Sequence, residues 1–408
     1  MKYLPPQNTA RPTSYQQHVK EANIKQIFDL VRSGKCSSRA ELVRAMKLSA
    51  TSVSVLVEEL AERGLIDETG PQLTFQPGRR PISLRFNSDT RQIAVFRLSR
   101  YGVRYDLLDL NCQLMESLYV PFDSSTFEGR DSGDTYTDLF ADILMNRAQR
   151  FDARRAALVG VCSAGVYSDI HRALLIQSAM GTSISEESLR RFQQRVNAPL
   201  LIANRTMCMA YAEKKRIDAD DPVAPETQYM LFVRINESIR GASINAGDLY
   251  TGPYNLPAEI GHFCIDYNGR PCPCGSAGCL ERYVNMDLIL QDAQQACARA
   301  GVPAPKSIED LSANYLNQPD VMQALDGSAE LLAAGLYTAV CAMGVRTVVL
   351  GGGISALGER FLRQVYHAIL RRSLLVHQLD LRYAKVGDDS DSIGLAQYYL
   401  DKLFTVTM

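Results

Sequence analysis

Residues 259–281 read EIGHFCIDYNGRPCPCGSAGCLE, and in them His262, Cys272, Cys274 and Cys279 bring one imidazole and three thiols into a span of eighteen residues. Zinc favours such soft thiolate and imidazole ligands in a closed tetrahedral site. The CPCG and GSAGC turns hold the proline and glycines that fold the ligands back on one ion. The spacing therefore predicts a Cys3His structural zinc site. The competing reading is three loop cysteines without metal. Cys264, two residues after His262, is the thiol most easily mistaken for a ligand.

Around this stretch the chain is 408 residues long and 46% hydrophobic, enough for two or three domains with their own cores. The formal net charge is −1, so no global field points to nucleic acid. The first 87 residues differ, with 13 Lys and Arg against 8 Asp and Glu, a local excess that suits a DNA-contacting head on a neutral body. Ten cysteines without a signal peptide predict a reducing, cytoplasmic setting rather than disulfides. The opening MKYLPPQNTARPTSYQQ reads as a polar, flexible arm. The longest apolar stretch, residues 331–345, is short for a membrane span and runs into TVVLGGG, so it predicts a buried helix and no membrane insertion. There is no repeat at solenoid period and no low-complexity tract.

The head can be read helix by helix. Asn23 to Arg32 places Ile24, Ile27, Phe28 and Val31 on one face, and Gly34 ends the helix. Ser38 can cap a second helix carrying Leu42, Val43 and Met46. A third begins around Ser49, with Val53, Leu56, Val57 and Leu60 inward and Gly64 as its stop. Three short helices with tight joints form the helix-turn-helix pattern, whose third helix presents its N-terminal residues to base edges in the major groove. Thr51, Ser52 and Ser54 are the candidate readers. Residues 65–86 read as a two-stranded wing, with Arg79 and Arg80 placed to meet phosphate or a narrow minor groove. The alternative is a head that mediates protein contacts, its charges a solvated face.

The body begins near Gln92. Residues 91–114 read as two strands joined by a turn and residues 157–169 as another buried strand ending in a glycine turn. Strands alternating with helices continue through LLIANRT, MLFVRI and TVVLGGG, which argues for an α/β body of two lobes.

Glu259-Ile260-Gly261-His262 followed by Cys272 through Glu281 gives ExGH and CxCGxxGCxE, a combination that resembles the signature of the ROK group of repressors, open reading frames and sugar kinases. The resemblance extends over most of the chain, from the winged head through LGGGIS at 350–355 to IGLAQYYL at 393–400. It implies a winged helix-turn-helix domain over 1–87 and a two-lobed, actin-like, ribonuclease-H-like sugar-kinase body. Its lobes would run over 88–205 and 206–408, with the last helix returning to the first lobe.

Family kinases open their first strand with a DxGGT loop, because glycines let backbone amides approach nucleotide phosphates. Here residues 96–102 read FRLSRYG. The second phosphate loop reads NESIRG at 236–241, with Ser238 and Arg240 at glycine positions. Where the kinase general base follows an Asn, Asn204 is followed by Arg205, and a guanidinium cannot take a proton at neutral pH. Gly351, Gly352 and Gly353 survive, which packing explains equally well. These losses predict a chain that is not an enzyme; a sugar kinase with an accessory DNA-binding head is the alternative.

The resemblance also carries an effector site. Its ligand-holding positions fall on Asn204, Arg205, Glu259, His262 and Glu281, with His262 placing one ring nitrogen on zinc and the other toward the sugar. A Pro-Asn-Leu element of the family is replaced by Ser178-Ala179-Met180. Either Arg205 recruits an acidic sugar derivative, or it pairs with Glu259 or Glu281 in an empty cleft. The resulting expectation is a repressor of carbohydrate uptake or catabolism genes that binds palindromic operator DNA as a homodimer or homotetramer. It would respond to a sugar-like effector or to a sugar-transport protein.

Overall fold

A computed structural model of the chain describes residues 1–4, 15–71, 82–99, 101–122, 132–176, 183–220, 225–252, 255, 258–372, 379–387 and 389–402. Arg79, Arg80, the Ser178-Ala179-Met180 segment and most of the N-terminal arm lie outside these residues. The described chain divides into two compact units. One takes residues 2–167, 171–202 and 395 onward, and the other takes 168–170 and 203–394.

The head belongs to the first unit. Its helices run Tyr15–Arg32, Arg39–Met46 and Ala50–Glu62, and strands Ile66–Pro71 and Ile82–Phe86 pair antiparallel as the wing. The first helix begins eight residues before the expected Asn23. Ser38 and Ser49 cap the second and third helices, accepting hydrogen bonds from the backbone N–H groups of Glu41 and Ser52. Ile24, Ile27, Phe28, Val53, Val57 and Leu60 are buried together, and Phe28 meets Phe86 edge-on at 5.3 Å, so the wing closes the helical core. Gly34 and Gly64 stop their helices with φ of 71° and 70°, a conformation that favours glycine.

The rest of this unit is built on a six-stranded sheet in the order Lys2–Leu4, Leu200–Asn204, Ala156–Ser163, Gln92–Leu98, Gly102–Leu108, Leu114–Pro121. Gln92–Leu98 pairs parallel with Ala156–Ser163, and every residue of both strands is buried, as expected of strands covered on two faces. Residues 2–4 correct the reading of the N-terminus as a flexible arm. They form an edge strand antiparallel to Leu200–Ile202, Leu4 is 1% exposed, and its carbonyl accepts from Gln193 at 2.7 Å. A long polar window hid three residues whose backbone completes an open sheet edge. The helix Asp391–Lys402 ends in this unit. Gly160 leaves room for Leu395, Tyr399 donates to the Ala157 carbonyl at 2.8 Å, and Asp401 pairs with Arg32 of the first head helix at 3.1 Å.

Glu186 opens the helix Glu186–Val196 and accepts from Arg172 at 3.2 Å and Tyr167 at 2.6 Å; these donors hold its carboxyl at about 2. Because the folded value is depressed, the stabilisation is complete above the ordinary carboxylate range. It disappears as pH falls from there through about 2. Arg172 is largely exposed, so solvent screening leaves only part of the effect. Glu186→Gln should cost about 1 kcal/mol at pH 7, shrinking toward zero in acid, as read from urea unfolding across pH. A pH-independent difference would remove the carboxylate from this account.

The second unit holds a five-stranded sheet, Asp248–Tyr250, Ile239–Asn245, Tyr229–Ile235, Thr347–Gly351, Asp380–Tyr383. The Met286–Ala300, Pro319–Met343 and Gly358–Arg372 helices share its core. The apolar stretch at 331–345 lies mainly within the 25-residue helix Pro319–Met343, with Leu332, Ala333, Leu336 and Ala339 buried. Among the described residues no helix is long and apolar enough to cross a membrane.

Candidate metal centre, effector residues and nucleic-acid interface

The loop at 259–281 folds into a short two-stranded ribbon. Ile265 donates its backbone N–H to the Gly278 carbonyl at 2.8 Å and Leu280 donates to Phe263 at 2.9 Å, while Cys272 and Ser276 close the CPCG turn. Gly275 and Gly278 take φ of 91° and 72°, and a side chain at Gly278 would overlap the Asp266 carbonyl. The ribbon brings one atom each from His262, Cys272, Cys274 and Cys279 within 4.8 Å of one another. His262 Nδ1 lies 3.7 Å from Cys272 Sγ, and Cys274 Sγ lies 3.7 Å from Cys279 Sγ. Sulfurs around a tetrahedral ion with metal–sulfur bonds of about 2.3 Å stand roughly 3.8 Å apart, so the donor set fits a metal. Burial, reinforced by Cys272 and Cys274, pushes the Cys279 thiol up to about 12, an environment in which a cation would relieve the cost of thiolates. Cys264 is exposed and is not one of the four.

The far ring nitrogen of His262 faces an acid. Nε2 stands 3.8 Å from Glu259 Oε2, and that oxygen also accepts from Arg240 at 2.8 Å. Arg240, at a glycine position of the second phosphate loop, thus neutralises the carboxylate that the family resemblance assigns to a ligand hydroxyl. Glu281 Oε2 accepts the Ile239 backbone N–H at 2.8 Å, and Gly261 permits that close approach because a Cβ there would press on both Ile239 and Glu281. Asn204 is buried, and its side-chain oxygen caps the helix Arg205–Asp220 through Thr206 N–H at 2.9 Å. Arg205 pairs with neither Glu259 nor Glu281. Its Nε lies 2.5 Å from Asp391, a fully buried carboxylate in the first turn of Asp391–Lys402. The surviving glycines are also engaged, since Gly353 N–H bonds Asn236 Oδ1 at 2.6 Å.

In the head, Thr51 and Ser52 are exposed at the start of the third helix and Ser54 is half-buried. The Ser52 hydroxyl is 2.8 Å from Ser49 Oγ and belongs to the cap, which leaves Thr51 the more available hydroxyl. Arg39 bonds Glu68 at 2.8 Å and the Ser54 carbonyl at 3.3 Å, locking second helix, third helix and wing together. Val55, 53% exposed one turn after Thr51, was missed; an apolar residue breaking the buried pattern on that face was its signal, and it suits contact with a thymine methyl. Nothing local marked Asp391 as the partner of Arg205.

A winged helix-turn-helix on a body with an actin-like sugar-kinase fold defines the class of this protein. The chain belongs to the ROK family, whose model matches residues 130–402. It is 23% identical over 391 residues to the xylose repressor of Bacillus subtilis, covering 95% of this chain and 97% of that one. Its structure resembles a ROK family transcriptional regulator described as a homologue of the E. coli MLC protein, with a TM-score of 0.78, 22% identity and coverage of 96% and 99%. The N-acetylmannosamine kinase of Escherichia coli O1:K1 is 27% identical over 241 residues, 59% of this chain and 78% of the kinase.

Proposed function

We propose that this protein is a DNA-binding repressor of carbohydrate uptake or catabolism genes, with a non-catalytic kinase-like body that binds structural zinc and forms a homodimer or homotetramer. The observation that carries this reading is the exposed first turn of the third helix, Thr51 and Ser52, presented by a capped and wing-closed head. Two further findings support it. The similarity to xylose repressors spans head and body, whereas the kinase similarity spans 59% of the chain. In the body, Arg205 stands where a base is needed and is held by Asp391.

Gel shifts on DNA upstream of the neighbouring genes test the proposal. Replacing Arg79 and Arg80 by Ala should weaken specific and nonspecific binding together and flatten the salt dependence by about two phosphate contacts. Thr51→Ala should mainly blur sequence choice, and Ser52→Ala and Ser54→Ala should act likewise but less. Undiminished binding by the double arginine variant would remove the wing from the interface. A coupled ADP-release assay with hexoses should stay at background; turnover would restore the kinase alternative.

The effector class follows from the paired charges. Glu259 is held by Arg240 and Arg205 by Asp391, so a neutral sugar gains little there while an anionic derivative can compete for the guanidinium groups. Thermal-shift screening should find stabilisation by sugar acids or sugar phosphates, lost in Arg240→Ala. Stabilisation by glucose or xylose alone, unchanged in that variant, would show that both arginines serve only as structural ion-pair partners. A sugar-transport protein remains the second candidate regulator, to be sought as a complex formed without sugar.

A further inference from the structure

Cys264 and Cys279 face each other across the ribbon that carries the metal ligands. They are antiparallel partners, flanked by the bonds Ile265 N–H to Gly278 and Leu280 N–H to Phe263. That arrangement makes them a non-hydrogen-bonded pair, the narrow rung of an antiparallel ladder, where Cα atoms stand about 4.5 Å apart and the two side chains share one face. The separation lies within the range a disulfide spans, about 4.4–6.8 Å. Cys279 is buried among the four converging atoms, whereas Cys264 is exposed, with its Sγ 3.2 Å from where a side chain at Gly278, the neighbour of Cys279, would begin. One thiol is therefore open to solvent oxidants and the other is a metal ligand, on the same rung.

We propose that Cys264 is an oxidation site that removes Cys279 from the metal-ligand set by forming a cross-strand disulfide. The inference rests on the Cys3His zinc reading for its consequence but not for its chemistry. The oxidant is a peroxide. The Cys264 thiolate attacks one peroxide oxygen, the O–O bond breaks, and the displaced oxygen leaves as water after taking a proton, so Cys264 becomes a sulfenic acid. The Cys279 sulfur then attacks the Cys264 sulfur; the S–S bond forms, the S–O bond breaks, and the hydroxyl leaves as a second water. Two thiols and one hydrogen peroxide give one disulfide and two waters. His262, Cys272 and Cys274 remain, a set one ligand short of a closed structural site.

The test uses the full-length protein with its natural zinc. Hydrogen peroxide at low molar excess should release zinc to a chromogenic chelator, and peptide mapping should recover a Cys264–Cys279 disulfide, reversed by a thiol reductant. Cys264→Ser keeps all four ligands, and under the same dose it should retain its zinc. Equal zinc release from Cys264→Ser, or a mapped disulfide within Cys272, Cys274 and Cys279, overturns the proposal. Should the untreated protein hold no zinc, the metal reading fails, while mapping of the Cys264–Cys279 bond still decides the disulfide.

Discussion

Cys274→Ser is expected to strip the protein of its bound metal, from about one zinc per chain to well below half. The four candidate ligand atoms belong to one short ribbon, and the same ribbon carries Glu259, whose carboxylate faces His262, and Glu281, which holds the Ile239 backbone N–H. Metal loss should therefore loosen that contact, lower the melting temperature and disturb assembly together. Metal analysis, thermal melting and size-exclusion chromatography measure the metal loss, the stability and the assembly. A Cys274→Ser protein with full zinc and normal oligomer size would show that the cluster is only a set of loop cysteines.

Restoring the kinase residue by Arg205→Asp should unfold rather than revive the body. Asp391 is 0% exposed and its carboxylate faces Arg205, so the substitution would set two carboxylates against each other out of water. Removing one partner of a buried ion pair costs about 3–5 kcal/mol, and a like charge adds to that. Adding Asp391→Asn in the same chain should recover most of the loss, and neither variant should phosphorylate a hexose while residues 96–102 and 236–241 lack the family's glycines. Urea unfolding of the single and double variants measures the coupling. Wild-type stability in Arg205→Asp would mean that the Arg205–Asp391 pair is a loose contact that contributes little to the fold.

The two results bear on different kinds of legibility. His262, Cys272, Cys274 and Cys279 lie close in sequence, and glycine turns are enough to bring them together, so spacing alone pointed to the cluster that converges in the structure. The head was read almost residue by residue, because Ser38, Ser49, Gly34 and Gly64 act on their own helices and the inward positions repeat with helical period. Cys264 lies outside the converging His262, Cys272, Cys274 and Cys279 atoms, and its cross-strand place opposite Cys279 could not be read before the ribbon's register was known.

What the sequence by itself determined was the order of elements, the convergence of His262 with Cys272, Cys274 and Cys279, the helix caps and the absence of a base at position 205, all consequences of local backbone preference or of a side chain's own chemistry. Tertiary structure alone decided the pairings. Arg205 meets Asp391, Arg240 meets Glu259 and residues 2–4 complete the edge beside Leu200–Ile202. Each joins segments whose separation in the chain bears no relation to their distance in space. A charge or an open strand edge announces that it needs a partner, but which partner it finds depends on how the sheets and helices stack, and that is a property of the whole packed core rather than of any stretch of sequence.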